Sequence, residues 1–324
     1  MKLDKKDKEL LHQLYLDSRQ SFVQLGKKLK LSSTAVERRL RQLEQAGVIS
    51  LLFADVNLAK LGLRGYRLYF KFDVMDEKTE KEVLKLFEEY PRTLWGVVCE
   101  GEYDVLWRII ARNELEVEEA AYKMIEKFGS RISEKTVVVT TYQTYLSWNK
   151  AFECERAPEF PMEKIEQVEK VDEVDMQILQ SLYGDARLST VELGRRTGLS
   201  ADAAAKRIKR LVKDKFILGY SAWFDARKMG FNYYKILIGF RSATKEKEKK
   251  FLDYMVQQDA VIFINKCIGS WDIEIDVIVH DTRDLHKFLL DIKTKFGSII
   301  GKHAYVAAIE ERMLNPLRGE MEKQ

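Results

Sequence analysis

Apolar residues near the start of the chain recur at helical spacing in three short stretches. Leu10, Leu11 and Leu14 share one face of a helix over residues 7–16. After the polar break Asp17-Ser18-Arg19, a second helix buries Val23, Leu25 and Leu29. Its start, Ser21-Phe22-Val23-Gln24, has the spacing of a capping box, in which Ser and Gln satisfy orphan helix N–H groups reciprocally. Ser32 can cap a third helix that runs to about Gln45, with Ala35, Val36, Leu40 and Leu43 inside and Arg38, Arg39 and Arg41 on the other face. Gly47 stops it, and Val48-Ile49 begins an extended segment.

Downstream the period changes. Residues 66–74 alternate like a half-buried strand. A helix is predicted through 80–90, strands at 94–100 and 104–111 with Gly101-Glu102-Tyr103 at the break between them, a helix over 114–128, and a last strand at 136–142. The order β-α-β-β-α-β is the ferredoxin-like split pattern. It places both helices on one face of an antiparallel sheet, so the apolar opposite face must be covered by a partner sheet, from elsewhere in the chain or from another chain.

All of this is written twice. Residues 3–146 and 171–314 correspond without a gap at a constant offset of 168. Asp4 and Asp7 return as Asp172 and Asp175, Asp17 and Arg19 as Asp185 and Arg187, Arg39 as Arg207, Gly101 and Asp104 as Gly269 and Asp272. Ser189-Thr190-Val191-Glu192 reads as a second capping box, and Ser200 caps a third helix to about Lys213 with Lys206, Arg207, Lys209 and Arg210 on its outer face. The second β-α-β-β-α-β falls at about 234–242, 245–258, 261–268, 272–279, 284–296 and 303–309. The fold expected is therefore α+β: a three-helix or winged helix-turn-helix domain at 1–62, a βαββαβ domain at 63–146, a linker at 147–170 holding Pro158 and Pro161, the second copies at 171–230 and 231–314, and a tail at 315–324.

Three helices with bases on the third make a helix-turn-helix. A helix about 10–12 Å wide fits the major groove, its N-terminal half meets base edges, and Lys/Arg neutralise phosphates. A basic helix face is commonly just a solvated one; its recurrence at equivalent positions favours double-stranded DNA as the partner. The candidate contacts are Ser32, Ser33, Thr34, Glu37, Arg38, Arg39 and Arg41 in the first copy, and Ser200, Asp202, Lys206, Arg207, Lys209 and Arg210 in the second. The net charge of +4, from 55 basic and 51 acidic residues, adds little by itself. The longest apolar runs are too short to span a bilayer, and the charged N-terminus carries no signal-peptide core, so a cytoplasmic protein without a membrane partner is expected. The 33% of charged residues also fits heat adaptation. Of the three cysteines, Cys99 and Cys267 are repeat equivalents read as buried, reduced strand residues. The four His are scattered, and neither a metal site, a cofactor nor a catalytic set is expected.

Both copies resemble the Lrp/AsnC (leucine-responsive, feast/famine) transcription regulators. The matching stretches are Leu3-Asp4, Asp7, Leu10-Leu11, Asp17-Ser18-Arg19, Leu31-Ser32, Val36, Arg39-Leu40, Leu43-Glu44, Gly47-Val48-Ile49 and Gly101-Glu102-Tyr103-Asp104, with Val171-Asp172, Asp175, Ile178-Leu179, Asp185-Ala186-Arg187, Leu199-Ser200, Lys206-Arg207, Leu211 and Gly269-Ser270-Trp271-Asp272 in the second copy. The resemblance implies a sequence-specific regulator whose Gly-x-x-Asp turns line a site for a small amino-acid effector, carried here by Gly101, Tyr103, Asp104, Gly269, Trp271 and Asp272. Read without the family, those turns need only Gly for its backbone and Asp to cap it. Members usually carry one unit per chain and dimerise, so this chain is expected to be its own pseudo-dimer or to form a homo-oligomer. Two other readings stand beside it: a siroheme-decarboxylase-like enzyme on the same fold, which has a distinctive Tyr/Arg/His segment where this chain has Val97-Val98-Cys99-Glu100 and Ile264-Asn265-Lys266-Cys267, and a low-specificity architectural DNA-binding protein.

Overall fold

The computed structural model describes residues 3–146, 148–153, 160–162 and 167–321. The first three helices are α1 (Lys5–Leu16), α2 (Phe22–Leu29) and α3 (Ser33–Gln45). The expected capping box at Ser21 forms, with Ser21 accepting from the Gln24 N–H at 3.2 Å and Gln24 accepting from the Ser21 N–H at 2.8 Å. A further box, unforeseen in the sequence, opens α1 through Asp4 and Asp7. The extended segment after α3 is the strand β1 (Ile49–Val56). Then come β2 (Arg64–Phe72), α4 (Glu77–Glu89), β3 (Thr93–Gly101), β4 (Val105–Ala111), α5 (Glu114–Phe128) and β5 (Ile132–Tyr145). The 147–170 stretch is not a plain connector: among its described residues are a short helix α6 (Asn149–Phe152) and a three-residue strand β6 (Phe160–Met162) that pairs with β5. Pro158 lies outside the described residues.

The second copy repeats the order: α7 (Glu173–Gly184), α8 (Thr190–Thr197), α9 (Ala201–Lys213), β7 (Ile217–Phe224), β8 (Asn232–Phe240), α10 (Lys245–Val256), β9 (Val261–Ile268), β10 (Ile273–Val279), α11 (Thr282–Phe296) and β11 (Ile300–Met313). One expected cap is only half made. Ser189 accepts from the Glu192 N–H, but the Glu192 carboxylate is taken by Arg195 and Arg196 rather than returning to Ser189. Two adjacent cations outcompete one backbone N–H for the same carboxylate. The stretch read as a tail includes α12 (Arg318–Met321), whose buried Glu320 meets Arg92 at 3.0 Å and also Arg112.

The two copies do not merely stack sheet on sheet. Their strands join edge to edge in the order β2-β4-β3-β11-β8-β10-β9-β5, and β5 pairs back onto β2, closing a ring of eight strands. The two joints between copies are equivalent: β3 runs against β11, and β9 against β5. Closure removes the unpaired edges that each four-stranded half would expose. Outside the ring, α4 and α5 cover one half through Phe70, Phe87, Trp107 and Met124. On the other half α10 and α11 bring Phe251 and Ile292 against Ile236 and Ile275.

Above the ring the helical units are tied by a second element shared between copies. β1 and β7 form an antiparallel ribbon in which Phe53 faces Ser221. These two residues are 168 apart, so a pseudo-two-fold axis passes between them. Trp223 of the ribbon stacks on Phe263 of the ring at 5.0 Å, and Trp148 and Phe152 pack on Phe224.

Candidate nucleic-acid interface

The helix-turn-helix units meet through a reciprocal clasp. Arg19 donates to the Ala186 and Leu188 carbonyls, and Arg187 donates to those of Ser18 (2.7 Å) and Gln20 (2.9 Å). The Ser18 N–H donates to the Tyr220 carbonyl, and the Ala186 N–H to that of Leu52. Arg187 also lies over the Phe22 ring and Arg19 over Tyr220. The recurrent Asp-x-Arg of the sequence is thus an interface device: Asp17 and Asp185 each turn the backbone by accepting from the N–H of Arg19 and Arg187, which aims the guanidinium at the other copy.

The clasp leaves the N-terminal halves of α3 and α9 outside. Ser32, Ser33, Thr34, Arg38 and Arg41 are exposed, as are Ser200, Asp202, Lys206, Lys209 and Arg210, and Glu37 is partly so. Ser32 and Ser200 serve as N-caps, accepting from Ala35 and Ala203 at 3.2 Å. Three of the expected contacts have an additional role. Arg39 pairs with Asp4 (2.8 Å) and Asp7 (2.6 Å), Arg207 pairs with Asp172 and Asp175, and Arg210 pairs with Asp175. These are struts that pin the third helix of each unit to the start of the first. Arg207, by its hydrogen bond, holds the Asp172 carboxyl below its ordinary range against partial burial. Retention of Asp4, Asp7 and Arg39 as Asp172, Asp175 and Arg207 therefore has a packing cause within each unit.

The Gly-x-x-Asp turns sit at the two joints of the ring. Gly101 has φ +131° and Gly269 φ +138°, conformations suited to glycine, and a Cβ on either would collide with the carbonyl of Tyr305 or Val137 on the opposing strand. The Asp104 carboxylate accepts from the Phe72 N–H and the Asp272 carboxylate from the Phe240 N–H, both at 2.7 Å. Lys71 adds an ion pair to Asp104 at 3.1 Å. Tyr103 and Trp271, repeat equivalents, are both buried and touch each other, Trp271 Nε1 donating to the Tyr103 hydroxyl at 3.2 Å.

The inner face of the ring holds a polar cluster that the sequence reading missed. Glu274, fully buried, lies 3.2 Å from Arg67 and 3.4 Å from Lys235, and accepts from the Tyr69 hydroxyl. Lys235 also pairs with Asp276 at 2.6 Å, and Tyr233 donates to Asp276 at 2.8 Å. Burial alone would raise Glu274, but Arg67 and Lys235 outweigh it and hold its carboxyl below the ordinary range. Burial pushes Glu311 the other way, up to about 7, although Trp95 donates to it. Beside the cluster Trp95, Trp223, Phe263 and Asn265 line a cavity of about 30 Å³, room for one or two waters. The thiols of Cys99 and Cys267 are buried, without a disulfide, and raised by burial first. Among the described residues no group of three or more His, Cys, Asp or Glu could hold a metal ion, and no helix is long and apolar enough to cross a membrane.

Two helix-turn-helix units, clasped about a pseudo-two-fold and seated on a ring both copies build, define a DNA-binding protein that carries its dimer within one chain. The AsnC-type helix-turn-helix domain matches residues 3–44 and again 171–212. The HTH-type transcriptional regulator Ptr1 of Methanocaldococcus jannaschii is 31% identical over 116 residues, spanning 36% of this chain and 77% of that protein. LrpC of Bacillus subtilis is 46% identical over 63 residues, 19% of this chain and 44% of that regulator. The chain belongs to the Lrp/AsnC family, and it is a DNA-binding transcription regulator of that type. Among solved structures, the siroheme decarboxylase NirDL aligns over 99% of this chain and 98% of its own with a TM-score of 0.64. At 12% identity that likeness concerns the fold alone.

Proposed function

We propose that α3 and α9 enter successive major grooves of one duplex, as two half-sites of a single imperfect palindrome. The observation that carries this is the Arg19/Arg187 clasp, which holds the two units about a pseudo-two-fold with the first turns of α3 and α9 outward. Two-fold related reading helices meet half-sites about 34–36 Å apart. In this reading residues 1–62 and 171–230 bind DNA, while 63–146 and 231–314 form the ferredoxin-like regulatory base. Footprinting of the purified protein is the test. Protection of two half-sites one helical turn apart is expected, and an isolated half-site or no preferred spacing refutes the geometry.

Regulation by a small amino acid at the Gly-x-x-Asp turns comes second. Family membership supports it, whereas Tyr103 and Trp271 fill the space between the turns. Calorimetry with the twenty amino acids decides: heat that disappears in Asp104→Ala or Asp272→Ala supports the site, and no heat from any of them removes it. The enzyme reading draws on the NirDL fold. Adding an iron porphyrin and following its absorbance tests it, since an unshifted spectrum at high protein concentration counts against a tetrapyrrole substrate.

A further inference from the structure

The two units distribute their charge differently. On α9, Lys206, Lys209 and Lys213 are exposed and have no ionic partner among the described residues. On α3, Arg39 is held by Asp4 and Asp7 and Arg41 by Glu37 at 2.6 Å, leaving Arg38 as its one unpaired cation among the described residues. The first turns differ in the opposite sense. α3 presents Ser33, Thr34 and Glu37, all able to hydrogen-bond base edges, with Arg38 beside them. The α9 positions equivalent to Ser33 and Glu37 are Ala201 and Ala205; with Ala203, they offer at most a methyl contact to thymine, and Asp202 is the one polar group before Lys206. The second helices compensate. α2 ends in exposed Lys27 and Lys28, followed by Lys30, whereas on α8 Arg195 and Arg196 are tied to Glu192 and Gly198 stands where Lys30 would be.

We propose that the units divide the labour: α3 reads bases while its phosphate contacts come from α2, and α9 serves chiefly as a phosphate clamp. Lysine suits the clamp because its ammonium is a point charge with no planar fork to match a base edge. Ser33, Thr34, Glu37 and Arg38 then set specificity, with Glu37 placed to accept from a cytosine N4 and oriented by Arg41. The inference rests on the DNA-binding reading and adds an inequality to it. The operator should be lopsided, one half-site conserved in sequence and the other defined mainly by its distance.

The test selects the full-length protein on a randomised duplex library, then titrates salt for wild type, Glu37→Gln and the triple variant Lys206→Gln/Lys209→Gln/Lys213→Gln. Every substitution is on an exposed or partly exposed position of a formed helix, and circular dichroism confirms folding. Expected for wild type is sequence information concentrated in one half-site. Glu37→Gln should change the preferred base within that half-site and, because it frees Arg41, raise the salt slope by no more than roughly 0.9. The triple variant should keep the base preference, weaken all sequences by a similar factor, and lower the slope by roughly 0.9 for each phosphate that is no longer neutralised. Two half-sites of equal information, or a triple variant that alters base preference, overturns the division while leaving DNA binding intact. Absence of salt-dependent duplex binding in wild type overturns the underlying reading as well.

Discussion

The two copies meet at two seams, and the seams are built on opposite principles. The clasp between helix-turn-helix units uses the same positions twice: the Arg19 and Arg187 guanidiniums, the backbone N–H groups at Ser18 and Ala186, and the ribbon pair Phe53 and Ser221 on the pseudo-two-fold. The interior of the ring uses residues that differ. Glu274 has Leu106 as its counterpart, Asp276 has Arg108, Tyr69 has Leu237, and Glu311 has Gln143. A symmetric clasp would serve two copies of either half. The interior serves only one of each, because two first halves would bury Arg67 without Glu274, and two second halves would bury paired carboxylates without Tyr69. Unlike residues at a seam penalise the wrong pairing, so the chain specifies its own partner from inside the ring.

Breaking the interior should have the largest effect. Glu274→Ala removes the carboxylate shared by Arg67 and Lys235 and should destabilise by about 3–5 kcal/mol in urea unfolding. Arg67→Met combined with Glu274→Leu, which leaves no orphan charge between them, should recover much of that loss. A single variant as stable as wild type would show that the cluster is incidental to pairing.

The second test uses pH. Glu311 is raised in the folded state to about 7 from an ordinary 4.5, so the native protein keeps a proton that the unfolded chain releases. Its contribution is present below the unfolded pKa and is lost as pH rises through about 7. Glu311→Gln, which copies the amide already found at Gln143, should therefore gain on wild type by on the order of 2–3 kcal/mol between pH 4.5 and 7.5. Parallel melting temperatures across that range would place Glu311 in ordinary solvent.

The symmetric seam gives the smallest and most even effects. Arg19→Ala and Arg187→Ala each remove charged hydrogen bonds to carbonyls of the other copy and should each cost about 1.5–3 kcal/mol. The two values should agree within about 1 kcal/mol, and a wide disagreement would break the contrast between seams.

What could be read from the chain alone follows from what a period can report. Helices at 3.6 and strands at 2 mark the faces that pack locally, so α5 and β9 fall on their expected bounds and the helix-turn-helix units are plain. Alternation cannot distinguish a charge facing water from one facing a closed interior. Arg67 and Lys235 sit at strand positions opposite the helix-covered face, where a polar residue looks solvated, and only ring closure reveals them as buried. The parity of Glu274 and Asp276 among Ile273, Ile275 and Val277 was the available signal; two acids on one inner face, with Arg67 and Lys235 on two others, hinted at pairing. Arg39 and Arg207 show the converse. Their recurrence suggested DNA contact, and their carboxylate partners lie 32 and 35 residues earlier in the chain, beyond the reach of local spacing.

The closed ring also sets a timetable for synthesis. Trp95 of β3 finds its neighbour in Met313 of β11, near the end of the chain. At about 5–20 residues per second, the ribosome needs roughly 10–40 s to supply the strand that completes the first copy. Throughout that wait β3 presents a bare edge, and a β11 emerging from an adjacent ribosome on the same message fits it as well as the chain's own. Slower or more crowded translation should therefore divert some chains into interlocked pairs, making the yield of rings closed within one chain a property of how the message is read as much as of the sequence it encodes.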